Sequence, residues 1–118
     1  MNTHETPTSW DELPTAITTY LTAHEARDAA TTISTFAADA VVTDEGRTYR
    51  SRDQILGWLN NAGTEYTFTT EFVGATTDHA GNVDVEQHLE GDFPGGTADL
   101  HFRFTMDGAL IRKLVIEP

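Results

Sequence analysis

Three residues of this chain could do chemistry if the fold brought them together: Tyr20, Asp44 and Gln87. Tyr20 falls on the apolar side of a helical repeat, Leu13, Ile17, Tyr20, Leu21 and His24, where a buried phenol needs a partner for its hydroxyl. Asp44 closes the run Val41-Val42-Thr43, at the point where a strand leaves its apolar cover. Gln87 interrupts the alternation Val83, Val85, Gln87, Leu89, and a buried amide is costly unless hydrogen-bonded. A carboxylate, a phenol and an amide turned into one apolar cavity could serve as base, donor and orienting group for a small ligand. Plainer alternatives stay open. Asp44-Glu45-Gly46 is also good turn chemistry, and Tyr20 and Asp44 could bond each other or water.

Other chemistries find less to stand on. The chain has five histidines but no HExxH, and no pair of them has ligand spacing on one helix face. His88 and His101 are placed as cross-strand neighbours on a polar sheet face with Glu86, Glu90 and Arg103, an ordinary mixed-sign ladder. No metal is expected there. His4 falls in a tail, His79 in a turn, and His24 at a helix surface or rim. Neither GxSxG nor SxxK occurs, and Phe93-Pro94-Gly95-Gly96 joins strand to strand, so it reads as a turn and not a phosphate cradle. Trp10 and Trp58 read as packing residues, with stacking on a ligand as the alternative.

The elements that must position these residues follow from periodicity. Ser9 with Glu12, or Pro14, would start the first helix. Asp28 reads as the N-cap of a second, with Ala29, Ile33, Phe36 and Ala37 on its apolar side. Ser51 and Gln54 form a capping-box pattern for a third, which buries Ile55, Trp58 and Leu59 and ends at Asn60-Asn61-Ala62-Gly63. From residue 65 the period becomes two. Tyr66, Phe68 and Phe72 share one face; Ala98, Leu100, Phe102, Phe104 and Met106 share another such row, and Asp107-Gly108 signals a hairpin. Helices followed by an antiparallel meander predict an α+β domain with one sheet face covered. Leu100, Phe102 and Phe104 should face inward, and His101 and Arg103 outward.

Composition narrows the partners. A length of 118 residues predicts one domain, over 10–118, after a mobile tail at 1–9. The absence of cysteine removes disulfides and thiolate sites. A net charge of −12 opposes binding to nucleic acid and to anionic membranes. No apolar run reaches the roughly 20 residues of a membrane span, and residues 1–9 lack signal-peptide regions; a cytoplasmic location is the expectation.

Two helices, Phe36-Ala37-Ala38-Asp39-Ala40 leading to a strand that ends in Asp44, a helix opening at Ser51-Arg52-Asp53-Gln54-Ile55 and a long meander together resemble the nuclear-transport-factor-2-like, SnoaL-like superfamily. The likeness spans residues 10–118. It implies a cone-shaped α+β barrel, about three N-terminal helices on a strongly curved antiparallel sheet, with a cavity between them. It also implies a homodimer through the outer sheet face. Members include ketosteroid isomerases, polyketide cyclases, epoxide hydrolases and dehydratases. The isomerase motifs place the general base at Asp44, the phenol donor at Tyr20, and the string His101-Phe102-Arg103-Phe104 in the sheet. Leu100 stands where those enzymes carry a second oxyanion acid, and Asp99 faces the other way. Loss of one such donor costs on the order of 10²–10³ in rate, so the resemblance does not imply an efficient ketosteroid isomerase. It implies a cofactor-independent isomerase, cyclase, dehydratase or hydrolase acting on a small, mostly apolar or amphipathic molecule. Phe36, Tyr49, Trp58, Gln87, Leu100 and Phe102 would contact the ligand. A non-catalytic binding or dimerising domain is the alternative.

Overall fold

Pro14 and Asp28 mark the starts of the two helices that open the fold. Ser9 does not begin the first of them: its N–H and hydroxyl both donate to the Glu12 carboxylate, which closes a 3₁₀ turn over Trp10–Glu12. Helix α1, Thr15–Glu25, then starts after Pro14 and buries Ile17, Tyr20, Leu21 and Ala23. Asp28 caps α2, Ala29–Ser34, by accepting from the Thr31 backbone and hydroxyl. The structure, a computed structural model, describes residues 6–61 and 67–118. Tyr66, Ala62, Gly63 and His4 lie outside that set.

Helix α2 is shorter than its periodicity predicts. The Thr35 hydroxyl donates to the Thr32 carbonyl at 2.7 Å, the Ile111 N–H donates to the Thr35 carbonyl at 2.8 Å, and Arg52 donates two N–H bonds to the Phe36 carbonyl. Tertiary partners thus draw the chain into a strand, β2, Phe36–Asp44, and Phe36 and Ala37 belong to the sheet instead of the helix. Strand β3, Arg47–Arg50, returns across a two-residue turn in which Glu45 and Gly46 have φ of 53° and 77°, as a type I′ hairpin requires.

Helix α3, Ser51–Asn61, starts differently from the expected capping box. Gln54 reaches back past Ser51 to accept from the Arg50 N–H at 2.8 Å, and Ser51 itself adopts φ +73°. That left-handed conformation costs an L-residue about 1–2 kcal/mol and glycine little. Ser51→Gly is therefore expected to stabilise the protein by about 0.5–1 kcal/mol after glycine's extra chain entropy is offset, seen as a small rise in Tm.

The remaining strands are β4, Phe68–Thr77, β5, Val83–Gly91, β6, Thr97–Asp107, and β7, Leu110–Glu117. Thr6–Thr8, placed in a mobile tail by the sequence, forms β1 and pairs with β4. One sheet results, in the order β1-β4-β5-β6-β7-β2-β3. It is curved and unclosed, and antiparallel except where β2 pairs parallel with β7, a partnership the antiparallel meander did not predict. Its inner face carries Val83, Val85, Phe102, Phe104, Leu114 and Ile116, all buried against the helices. Leu100 is half-buried on the same face, and Arg103 is exposed on the other. No helix among the described residues is long and apolar enough to cross a membrane.

Candidate functional site

Asp44 reaches the interior because strand alternation continues to the end of β2. Ala40 and Val42 are fully buried, and Asp44 falls on their face, beside Ile116 of β7. The Trp58 indole N–H donates to its Oδ2 at 3.1 Å. Burial raises the Asp44 pKa above the ordinary carboxylate value, and the Glu45 charge adds to that; the Trp58 bond and a backbone bond oppose it. The carboxylate is thus held by a single side-chain donor at the rim of the core.

Tyr20 lies deeper. It is 0% exposed, and its hydroxyl has no hydrogen-bond partner among the described residues. Phe36 and Phe104 meet the ring edge-on at 5.7 and 5.6 Å. Burial pushes the phenol well above its ordinary pKa, and the Asp44 charge pushes it the same way, so the two groups sense each other without being bonded. The alternative in which Tyr20 and Asp44 simply satisfy one another is not what the structure holds: Asp44 takes Trp58, and Tyr20 takes nothing.

Beside Tyr20 and Trp58 stands a residue that the sequence placed at a helix surface or rim. His24, one helical turn after Tyr20, lies nearly parallel to Tyr20 at 5.4 Å and 12°, and to Trp58 at 5.8 Å and 14°. Tyr49, on β3, lies 6.0 Å from Trp58, which extends the row of rings toward the surface. His24 was already on the Tyr20 face by spacing; what spacing could not show was Trp58 arriving from α3 to cover it. Burial, and after it the Arg27 charge, lower its pKa to about 4. A depressed histidine contributes stability that is complete above its ordinary value near 6.5 and lost as pH falls through the folded value. The protein is expected to lose about 2–3 kcal/mol from this group between pH 6.5 and 4, allowing for the half-buried ring. His24→Phe should flatten that limb of a stability–pH curve from chemical denaturation.

The other candidates divide. Phe36 is core packing under Tyr20. Gln87 is buried, at 5% exposure, and its amide makes no hydrogen bond among the described residues. It pairs in register with Leu100, and the Asp44 row runs through Ile116 and Phe102 to Val85. Gln87 and Leu100 therefore sit one inward step beyond that row, at the end of the sheet where β2 turns. No hydrogen bond joins Gln87 to Tyr20 or Asp44 among the described residues. Trp10, expected to pack, is 37% exposed and meets Phe72 edge-on.

The outer face is a charged ladder. His88 bonds Asp99 at 2.7 Å and Glu90 at 3.0 Å; His101 and Arg103 share Asp84, and Arg103 also pairs with Glu117. His88 and His101 are one register step apart: each faces a carboxylate residue, Asp99 or Glu86, instead of the other histidine. Among the described residues no group of three histidines or carboxylates could hold a metal ion. A cavity of about 310 Å³ opens on this face near Asp84, Arg103, Thr105 and Lys113. Another, of about 450 Å³, lies beside Trp10, Thr18 and Thr22 on α1. Neither is lined by Tyr20 or Asp44.

A helical layer over a curved sheet is the fold this chain shares with a candidate polyketide cyclase and with proteins of ketosteroid isomerase-like fold. This chain belongs to that family, the nuclear-transport-factor-2-like, SnoaL-like superfamily. A candidate polyketide cyclase from Sinorhizobium meliloti is similar at 31% identity with a TM-score of 0.85, over 91% of this chain and 97% of its own. A protein of ketosteroid isomerase-like fold from Catenulispora acidiphila, solved with trimethylamine, shows a TM-score of 0.78 at 20% identity over 89% and 85% of the two chains. A Mycobacterium tuberculosis protein in complex with estradiol-17β-hemisuccinate shows 0.72 at 13% identity over 87% and 90%. The last two share the fold. No family model matches the chain, and no curated protein does.

Proposed function

We propose that this protein catalyses a cofactor-independent proton transfer on a small, mostly apolar carbonyl compound. Asp44 removes a proton from the carbon next to the carbonyl, and Tyr20 donates its hydroxyl to the oxygen on which negative charge develops. Trp58 shifts its N–H bond as the ligand enters, while Gln87 offers an amide to a second polar atom. Phe36, Tyr49, Leu100 and Phe102 supply apolar walls that keep water from the reacting atoms. Enolisation of this kind underlies isomerisation, aldol-type cyclisation and dehydration alike, so the substrate class is an enolisable ketone or polyketone. The steroid ester bound by the mycobacterial relative and the cyclase named among the similar structures agree with a flat apolar frame.

The observation that carries this reading is the buried Tyr20 hydroxyl without a partner, set within the electrostatic reach of a carboxylate whose pKa is raised. So costly a group, left unbonded by the described residues, calls for a water or a ligand to complete it. Carboxyl NMR titration, with Asp44→Asn to assign the signal, tests the base. A value above the ordinary 3.8 is the expected result. A value at or below it would mark a solvated turn residue and remove the support for catalysis.

One feature favours a second reading, in which the same site only binds. In the free protein Trp58 already occupies an oxygen of Asp44, as a structural carboxylate would be occupied. Under either reading the protein acts as a cytoplasmic homodimer without nucleic-acid partners, joined through the outer sheet face.

A further inference from the structure

We propose that His24 is a second hydrogen-bond donor to the ligand of the Asp44–Tyr20 site, acting beside the Tyr20 hydroxyl through the edge of its imidazole. The inference rests on the reading that this site takes a ligand with a carbonyl or enolate-like oxygen. His24 and Tyr20 are four residues apart on α1, which stacks their side chains on one helix face. Their ring centroids lie 5.4 Å apart with the planes within 12° of parallel, so the two rings are neighbours on the same side of the helix.

The ring's surroundings are wrong for a purely packing role. Tyr20 and Trp58 cover its two faces, and Phe68 lies 6.4 Å away. All three would accept a phenyl ring as readily. Yet the position carries an imidazole, with one N–H donor and one acceptor when neutral; neither nitrogen bonds a described residue, and unlike the Tyr20 hydroxyl neither is sealed from solvent. The sheet-face histidines differ: His88 holds two carboxylates and His101 one. His24 is thus a polar edge that a ligand can reach, beside a buried phenol that no described residue bonds. Burial, and after it the Arg27 charge, lower its proton affinity, and Asp44 is engaged by Trp58, so the ring stays uncharged near neutral pH and donates a neutral N–H. Two donors on successive helix turns, opposite a carboxylate base, are suited to an oxygen that gains charge as the base takes a proton.

The probe is 2-naphthol, whose naphtholate places a charged oxygen on a flat apolar frame and whose absorbance separates the two forms. Binding would be measured near neutral pH for the wild type, His24→Phe, His24→Gln, Tyr20→Phe and Asp44→Asn. The wild type should bind. His24→Phe, which keeps the stack, should weaken binding about tenfold, the loss of one useful hydrogen bond, and His24→Gln should recover part of it. In ¹⁵N-labelled protein the His24 ring N–H resonance should move downfield on saturation. Binding by His24→Phe equal to the wild type, with Tyr20→Phe impaired, overturns the role of His24 and leaves the site reading intact. A wild type that does not bind, or that binds regardless of Tyr20 and Asp44, overturns both. Should His24→Phe fail to fold, an imidazole signal unmoved by saturating naphthol overturns the inference in the wild type itself.

Discussion

Asp44→Asn is expected to lower turnover of an enolisable ketone by about 10²–10⁴, the usual share of a positioned general base, while ligand-induced stabilisation persists. The amide matches the carboxylate in shape, and its oxygen can still accept from the Trp58 N–H, now 3.1 Å from Asp44. What it loses is the capacity to take a proton. The pH dependence separates these two properties. A base works when ionised, so the wild-type rate should rise with pH through an Asp44 value above the ordinary one, and that limb should vanish in the variant. Stability moves in the opposite sense. A carboxyl whose folded pKa is raised contributes stability that is full below its unfolded value, and loses it as pH rises through the folded value. Ionised Asp44 is therefore a net cost near neutrality, and Asp44→Asn should melt higher there. Steady-state kinetics and thermal melts on one preparation check both halves; undiminished turnover would leave Asp44 a structural residue.

Tyr20→Phe should make the free protein more stable, by about 1–3 kcal/mol, while weakening ligand binding about tenfold or more. The phenol fills its site completely, with Phe36 and Phe104 against its edges, and phenylalanine keeps all of that contact. Only the hydroxyl goes, a group buried with no partner. Removing an unsatisfied polar atom without opening a cavity relieves its desolvation cost. Function is where the hydroxyl matters, because a developing enolate oxygen would lose its donor. Denaturant melts and naphthol titration test the pair of effects. A destabilised Tyr20→Phe would mean that the hydroxyl is satisfied in the free protein, and the case for a ligand there would fail.

The sheet rows were legible because strand alternation leaves few choices. Phe102 and Phe104 inward and Arg103 outward followed from a period of two once one face had to be buried. Asp44 followed the same way, as the last inward position of a strand. The helix-to-strand boundary at Phe36 was not legible. Helical spacing runs on through Ala37, and the partners that end it are Ile111 and Arg52, which no local signal announces. Ser51 shows a similar limit: its pattern with Gln54 is that of a cap, but Gln54 bonds the residue before it. His24 was the instructive miss at the site. Its position on the Tyr20 face was plain from spacing, whereas its cover by Trp58 depends on how α3 packs against α2 and β2, a matter of tertiary packing. The edge strand Thr6–Thr8 was hidden for the same reason, since three residues with a proline carry no period.

The parallel pairing of β2 with β7 has a kinetic meaning. Thr43 and Asp44 are neighbours of Val115 and Ile116, so the strand that presents the carboxylate takes one of its sheet partners from the far end of the sequence. Contacts of such separation form slowly, because a long loop must close before any of them is rewarded. The β4–β5–β6 hairpins can zip locally and early, but Asp44 reaches its place opposite Tyr20 only when β7 has docked. Competence of the site is therefore expected to come late in folding, and a chain truncated before β7 should hold much of the sheet without one of the two strands that flank Asp44.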